Sequence, residues 1–190
     1  MNFPVDAFAG IETPFYYYDV ALLEETLATA QREAAKYEGF HVHYAIKANF
    51  NPRLLQIVAQ SGMGADCVSG GEVRAALHAG IPATKVVFAG VGKTDKEIAL
   101  ALDAGIFCFN VESVPEIEAI EELAAQRGVV ARVAVRINPN VGAHTHANIT
   151  TGLAENKFGI NYEQIDEVID VIEAKSHIEL IGLHFHIGSQ

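Results

Sequence analysis

Polar side chains recur at the ends of short apolar runs in this sequence, and Lys47, Asp66, Arg136, His186 and Ser189 stand out among them. Lys47 is the sharpest. It closes the run Val42-His43-Tyr44-Ala45-Ile46. If that run is a strand, a period of two puts His43, Ala45 and Lys47 on one face. A lysine aimed into an apolar interior is costly unless it is paired or bound covalently. In a low-dielectric site its pKa falls, and the free amine can form a Schiff base with a carbonyl compound. The alternative is a strand-end lysine whose stem lies on the sheet while its ammonium reaches water.

The other residues extend this chemistry. Arg136 ends Val133-Ala134-Val135 and offers a planar fork of donors to an anionic or phenolic oxygen. Its alternative is a salt bridge to a strand-end acid such as Glu112 or Asp66. Asp66 can tune a cation in the site or pair with Lys47. Cys67 alternates to the face opposite Asp66, so it is not a candidate nucleophile. His184 and His186 share a face of the last apolar run. No cysteine or acid completes a metal-ligand set at the usual spacing, so no metal is expected. His184 reads as a hydrogen-bonded core residue. His186 reads as closer to the chemistry, because Gly188 and Ser189 follow at once.

These groups need elements to carry them. Short β-branched or aromatic runs alternate with longer segments of helical period, which predicts βα units and a parallel sheet. The strands expected are Phe15–Tyr18, His41–Ala48, Gly64–Ser69, Lys85–Ala89, Phe107–Val111, Ala131–Ile137 and Ile178–Ile187. Helices are expected from a cap at Asp19, from Pro52, from Gly71, from a cap at Asp95, from Ser113 and over Tyr162–Lys175. The stretch Asn138–Asn156 has no period and suits an active-site lid. Counted from His41, about six strands alternate with helices. No GxGxxG follows any strand, which favours a (β/α)₈ barrel over a doubly wound open sheet. In a barrel the chemistry gathers at the C-terminal ends of the strands, which is where Lys47, Asp66, Arg136 and His186 fall.

Composition narrows the class. The 190 residues are 50% hydrophobic and 19% charged, as in a globular chain, and carry a formal net charge of −11. That balance repels nucleic acid and anionic lipid, so neither is an expected partner. The two cysteines, Cys67 and Cys108, sit in apolar runs and read as reduced core residues. No signal peptide and no membrane span is evident, so the cytoplasm is the expected location.

Several motifs in order then carry a resemblance. Tyr44-Ala45-Ile46-Lys47-Ala48-Asn49 resembles the cofactor-lysine motif of fold-type III pyridoxal-phosphate enzymes. Gly64-Ala65-Asp66-Cys67-Val68-Ser69-Gly70-Gly71-Glu72, Arg136-Ile137-Asn138-Pro139 and His184-Phe185-His186-Ile187-Gly188-Ser189-Gln190 are similar to later blocks of the same family. The stretch from Thr151-Gly152 to Lys157-Phe158-Gly159 is similar to its diaminopimelate decarboxylase branch, rather than to ornithine or arginine decarboxylases. The resemblance implies a pyridoxal-phosphate barrel of the alanine racemase type, of which about six βα units are present. It implies that Lys47 binds the cofactor, His186 stacks on its ring and acts in catalysis with Lys47, Ser189 helps hold the phosphate, and Asp66 and Arg136 lie close by. It further implies decarboxylation of meso-2,6-diaminopimelate to L-lysine, the last step of lysine biosynthesis, in a homodimer with shared sites. Another decarboxylase or racemase of basic amino acids, and a non-catalytic pyridoxal-phosphate barrel, are the alternatives. Residues 1–30 are expected to belong with a C-terminal β-domain and residues 31–190 to form a partial barrel. The family's remaining units would lie beyond Gln190, so weak cofactor binding and no activity are expected of these residues alone.

Overall fold

The structure is a computed structural model and describes residues 3–138 and 158–186. A short helix α1, Val5–Phe8, leads into an extended segment and then α2, Val20–Ala34. Asp19 caps α2 as expected, accepting from the Leu22 amide at 3.0 Å. The strand expected at Phe15–Tyr18 is absent: no described strand lies beside these residues, and strand character needs a partner for its amides. Their rings pack on one another instead, Phe8 lying 5.2 Å from the centroids of both Phe15 and Tyr17.

The strand–helix alternation then runs β1 His43–Ala45, α3 Pro52–Gln60, β2 Gly64–Cys67, α4 Gly70–His78, β3 Val86–Phe88, α5 Asp95–Ala104, β4 Cys108–Val111, α6 Val114–Arg127 and β5 Ala131–Asn138. It closes with β6 Ile160–Asn161, α7 Ile165–Glu173 and β7 Ile178–His184. The two-residue β6 was not expected, being too short to leave a pattern. The helix expected over Tyr162–Lys175 is a 3₁₀ turn, Tyr162–Gln164, followed by α7.

All strand pairs are parallel, and neighbours follow chain order from β1 to β5. The strand β7 pairs with the body of β5, and β6 pairs with its C-terminal end. Consecutive parallel strands joined by right-handed crossovers place their helices on the same face. Accordingly α3 packs on α4, α4 on α5, α5 on α6 and α6 on α7. This is the build of successive units of a (β/α)₈ barrel. A doubly wound sheet would reverse its strand order somewhere, and among the described residues none reverses.

The core lies between sheet and helices, with Phe88, Phe109, Ile46, Leu55, Ile117 and Ile120 fully buried. Local chemistry sets the helix starts. Ser69 and Ser113 accept from the amides of Glu72 and Glu116. At α5 the cap is Thr94 rather than the expected Asp95. Glu97 reaches back to accept from the Thr94 amide at 3.1 Å, while its other oxygen takes the Gly70 amide at 2.8 Å. Gly64 must be glycine for space: a Cβ there would lie 2.5 Å from the Lys85 carbonyl oxygen.

Candidate active site

The C-terminal strand ends do converge, but not by the route that alternation suggests. The strand β1 stops at Ala45, and Ile46–Ala48 forms one 3₁₀ turn. Lys47 therefore does not continue the face of His43 and Ala45. Ile46 is fully buried and pins the turn, which swings Lys47 outward to an exposed position. The turn is tied down: the Tyr44 hydroxyl donates to the Asn49 carbonyl at 3.1 Å, and the Asn49 amide group donates to the Tyr18 hydroxyl at 3.0 Å. The aromatic segment before α2 thus braces the lysine turn.

Lys47, Asp66, Arg136, His184 and His186 line one cavity of about 450 Å³, with the Ala89–Gly92 loop forming another wall. That volume lies within the usual range for small-molecule sites. A cavity of about 510 Å³ lies at the opposite ends of β1 and β2, among Tyr37, Phe40, His43 and Phe107. It holds few of the polar groups singled out, and it sits at the end of the strands where barrels rarely do chemistry.

Asp66 sits mid-register between Ala45 and Val87, with its neighbours Ala65 and Cys67 turned into the core. Burial pushes its carboxyl pKa up, and the charges of Lys47, His186 and Arg136 pull it back down. The four groups therefore share one electrostatic neighbourhood. The Asp66 carboxylate takes no hydrogen bond from another described residue.

His184 corrects its expectation. It is in register with Arg136 across β5 and β7, and its Nδ1 is buried without a partner among the described residues, so it is not a satisfied core residue. Burial lowers its pKa and the Arg136 charge lowers it further, which favours the neutral imidazole. His186 is exposed at the cavity edge. Ser189 lies outside the described residues, as do residues 139–156 of the expected lid.

Arg136 realises its alternative reading. Its Nη1 donates to both oxygens of buried Glu112 at 3.0 Å. Its guanidinium also lies 5.5 Å from the Phe158 ring centroid. Glu112 accepts as well from the Gly90 amide at 3.1 Å. Gly90 has φ +106°, which disfavours any other residue there.

Lys93 and Glu116 were not anticipated. The Lys93 ammonium donates to the carbonyls of Gly90 and Asn110, at 2.8 and 2.9 Å, and to Glu116 Oε1 at 2.6 Å. Its side chain is 1% exposed. Glu116 Oε2 in turn accepts from the Glu112 amide at 2.8 Å. A signal was present: Lys93 follows the C-terminal end of β3, and barrel chemistry gathers at such strand ends.

Cys67 and Cys108 are buried free thiols whose pKa values burial pushes up to about 12. Neither is poised as a thiolate nucleophile. Among the described residues, no group of three His, Cys, Asp or Glu side chains could hold a metal ion, and no helix is long and apolar enough to cross a membrane.

Comparison with known proteins places this arrangement. The model of the pyridoxal-binding domain of pyridoxal-dependent decarboxylases matches residues 21–190. A diaminopimelate decarboxylase of Bacteroides thetaiotaomicron is 64% identical over 188 residues, 99% of this chain and 49% of that protein. One from Aquifex aeolicus is 42% identical over 94% of this chain and 42% of its own length. The crystal structure of diaminopimelate decarboxylase from Helicobacter pylori, complexed with L-lysine, superposes with a TM-score of 0.88. It is 42% identical over 98% of this chain and 47% of that one. The chain spans about half the length of the curated relatives it matches.

Proposed function

The chain belongs to the pyridoxal-dependent decarboxylases, through their pyridoxal-binding domain, and from that premise we propose that the whole protein uses pyridoxal phosphate to decarboxylate meso-2,6-diaminopimelate to L-lysine. The observation that carries this reading is the convergence of Lys47, Asp66, Arg136, His184 and His186 on one cavity at the C-terminal strand ends. The substrate rests on the names of the relatives, diaminopimelate decarboxylases at 64% and 42% identity.

The residues fit the cofactor. An amine stands at the cavity, and among the described residues a His184 nitrogen there has no partner and the Asp66 carboxylate no hydrogen bond. Lys47 would hold pyridoxal phosphate covalently through Nζ, His186 would cover its ring, and Arg136 and Asp66 would flank it. Ser189 would help hold the phosphate. When bound, the cofactor supplies an electron sink for the pair left behind as carbon dioxide departs.

The remaining work belongs to the chain. Glu112 neutralises one edge of Arg136 and leaves the guanidinium fixed in orientation. Neutral His184 can accept or donate a hydrogen bond without adding a cation beside Arg136. Lys47, freed at Nζ once substrate is engaged, can carry a proton to or from the reacting centre.

The same reading places the protein in the cytoplasm as a homodimer with shared sites, the latter checked by light scattering. Residues 1–190 alone should bind the cofactor weakly and release no carbon dioxide. The central test is product analysis on the protein from its complete open reading frame, offered meso-diaminopimelate, ornithine and arginine. L-Lysine and carbon dioxide from the first alone are expected. Turnover of ornithine or arginine in its place would overturn the assignment.

A further inference from the structure

Three chain segments meet behind the cavity wall, each supplying a charge to one connected network. Lys93 follows the loop after β3, Glu112 directly follows β4, Glu116 lies in the first turn of α6, and Arg136 is on β5. The links are short and continuous. Lys93 holds Glu116 Oε1 at 2.6 Å, Glu116 Oε2 holds the Glu112 amide at 2.8 Å, and both Glu112 oxygens hold Arg136 Nη1 at 3.0 Å. The Gly90 backbone is gripped twice, its carbonyl by Lys93 at 2.8 Å and its amide by Glu112 at 3.1 Å. Lys93 uses all three of its donors on protein atoms.

Lys93 is not among the residues that line the cavity. Yet a fully buried ammonium is retained, where an apolar residue of similar length would avoid the cost of desolvation. Two cavity features hang on it: the Gly90 loop directly, and the Arg136 guanidinium through Glu116 and Glu112. We infer that Lys93 and Glu116 form a positioning pair that sets Arg136 and the Gly90 loop against the cofactor cavity, acting through Glu112. This rests on the reading of the cavity as a pyridoxal-phosphate site. The pair's charges cancel, as do those of Arg136 and Glu112, so the network orients the guanidinium without changing the net charge of the wall.

The test is a double-mutant cycle on the full-length protein, read as the dissociation constant for pyridoxal phosphate by absorbance titration. Glu116→Gln keeps the shape of the side chain and removes the ion pair. Lys93→Met keeps the length of the stem. Each should weaken cofactor binding about tenfold, that is by about 1.4 kcal/mol. In an Arg136→Ala background each should weaken it by clearly less, the remainder being carried by the Gly90 loop. Equal losses in both backgrounds would mean a general structural role and would overturn the inference. A second readout works without cofactor and guards against poorly folded variants. In Glu116→Gln the amides of Gly90 and Glu112 should exchange hydrogen faster, while the Val133 and Val135 amides of β5 keep their protection. Unchanged exchange at Gly90 and Glu112 would also overturn it. If instead the unmutated protein fails to bind pyridoxal phosphate while Glu116→Gln still frees those amides, the cofactor reading fails and the pair's hold on the loop stands.

Discussion

Two groups of ionisable side chains share the C-terminal end of one sheet, and the protein satisfies them to opposite degrees. Lys93, Glu116, Glu112 and Arg136 are bonded to one another and to backbone atoms at every link. Lys47, Asp66 and His184 stand within reach of the same cavity, with no hydrogen bond between them and with one histidine nitrogen orphaned. Buried charges cost several kcal/mol unless paired, so a folded chain keeps unpaired polar groups only at some expense to stability. The closed group reads as framework and the open group as machinery. Arg136 belongs to both: one edge of its guanidinium is held by Glu112 while its side chain lines the cavity.

That contrast is broken most severely at its open end. Lys47→Ala should abolish covalent attachment of pyridoxal phosphate in the full-length protein, read as loss of the bound-cofactor absorbance band, and with it all decarboxylation. Stability of the cofactor-free protein should stay within about 0.5 kcal/mol, since Lys47 is exposed and ties nothing down. A variant that keeps the band would remove Lys47 from the site.

Lys93→Met should add a loss of stability to its loss of cofactor affinity. It leaves Glu116 a buried carboxylate facing no cation, and breaking one side of a buried pair costs about 3–5 kcal/mol. Urea unfolding should show the loss, and the Lys93→Met/Glu116→Gln double variant should regain part of it. A loss below about 1 kcal/mol would place Lys93 with ordinary surface ion pairs.

The framework also rests on one backbone position. Gly90 adopts φ +106°, and a Cβ there would sit 3.2 Å from the Val68 carbonyl oxygen. Gly90→Ala should cost about 1–2 kcal/mol for the left-handed conformation alone. Because the Gly90 amide is bonded to Glu112, cofactor affinity should fall as well. A variant that is destabilised but binds normally would separate the loop from Arg136.

What could be read from the sequence follows this division. Helix caps at Asp19 and Ser113 were legible because a cap is decided within four residues. The Arg136–Glu112 pair was within reach, because both stand at the ends of neighbouring strands. Lys47 was found by type and motif, but its placement was misjudged: alternation cannot foresee that a strand ends at Ala45 in a 3₁₀ turn. Lys93 and Glu116 were missed because their pairing joins segments 23 residues apart, and no local pattern records it. His184 reads as a core residue in the sequence because a sequence does not tell whether a histidine nitrogen finds a partner. The Phe15–Tyr18 strand failed for the complementary reason: β propensity was present and the neighbouring strand was not.

The smallest effect is the most discriminating. Burial raises the Asp66 pKa above its value in the unfolded chain, despite the charges of Lys47, His186 and Arg136. A group shifted in that direction favours the folded state fully below its unfolded pKa, and that contribution is lost as pH rises through the folded value. Above that value the ionised carboxylate of the cofactor-free chain opposes folding. Asp66→Asn should stabilise it there, by well under the roughly 3–5 kcal/mol at stake in Lys93→Met. The gain should shrink toward zero as the pH is lowered through the raised carboxyl pKa and both forms become neutral. Cofactor affinity should move the other way and fall, because the carboxylate that burdens the empty site then has a ligand to face. Thermal unfolding across pH, paired with cofactor titration at neutral pH, reads both. If Asp66→Asn lowers stability at neutral pH, Asp66 is held by its cations as firmly as Glu112 is by Arg136, and the division between open and closed groups does not hold.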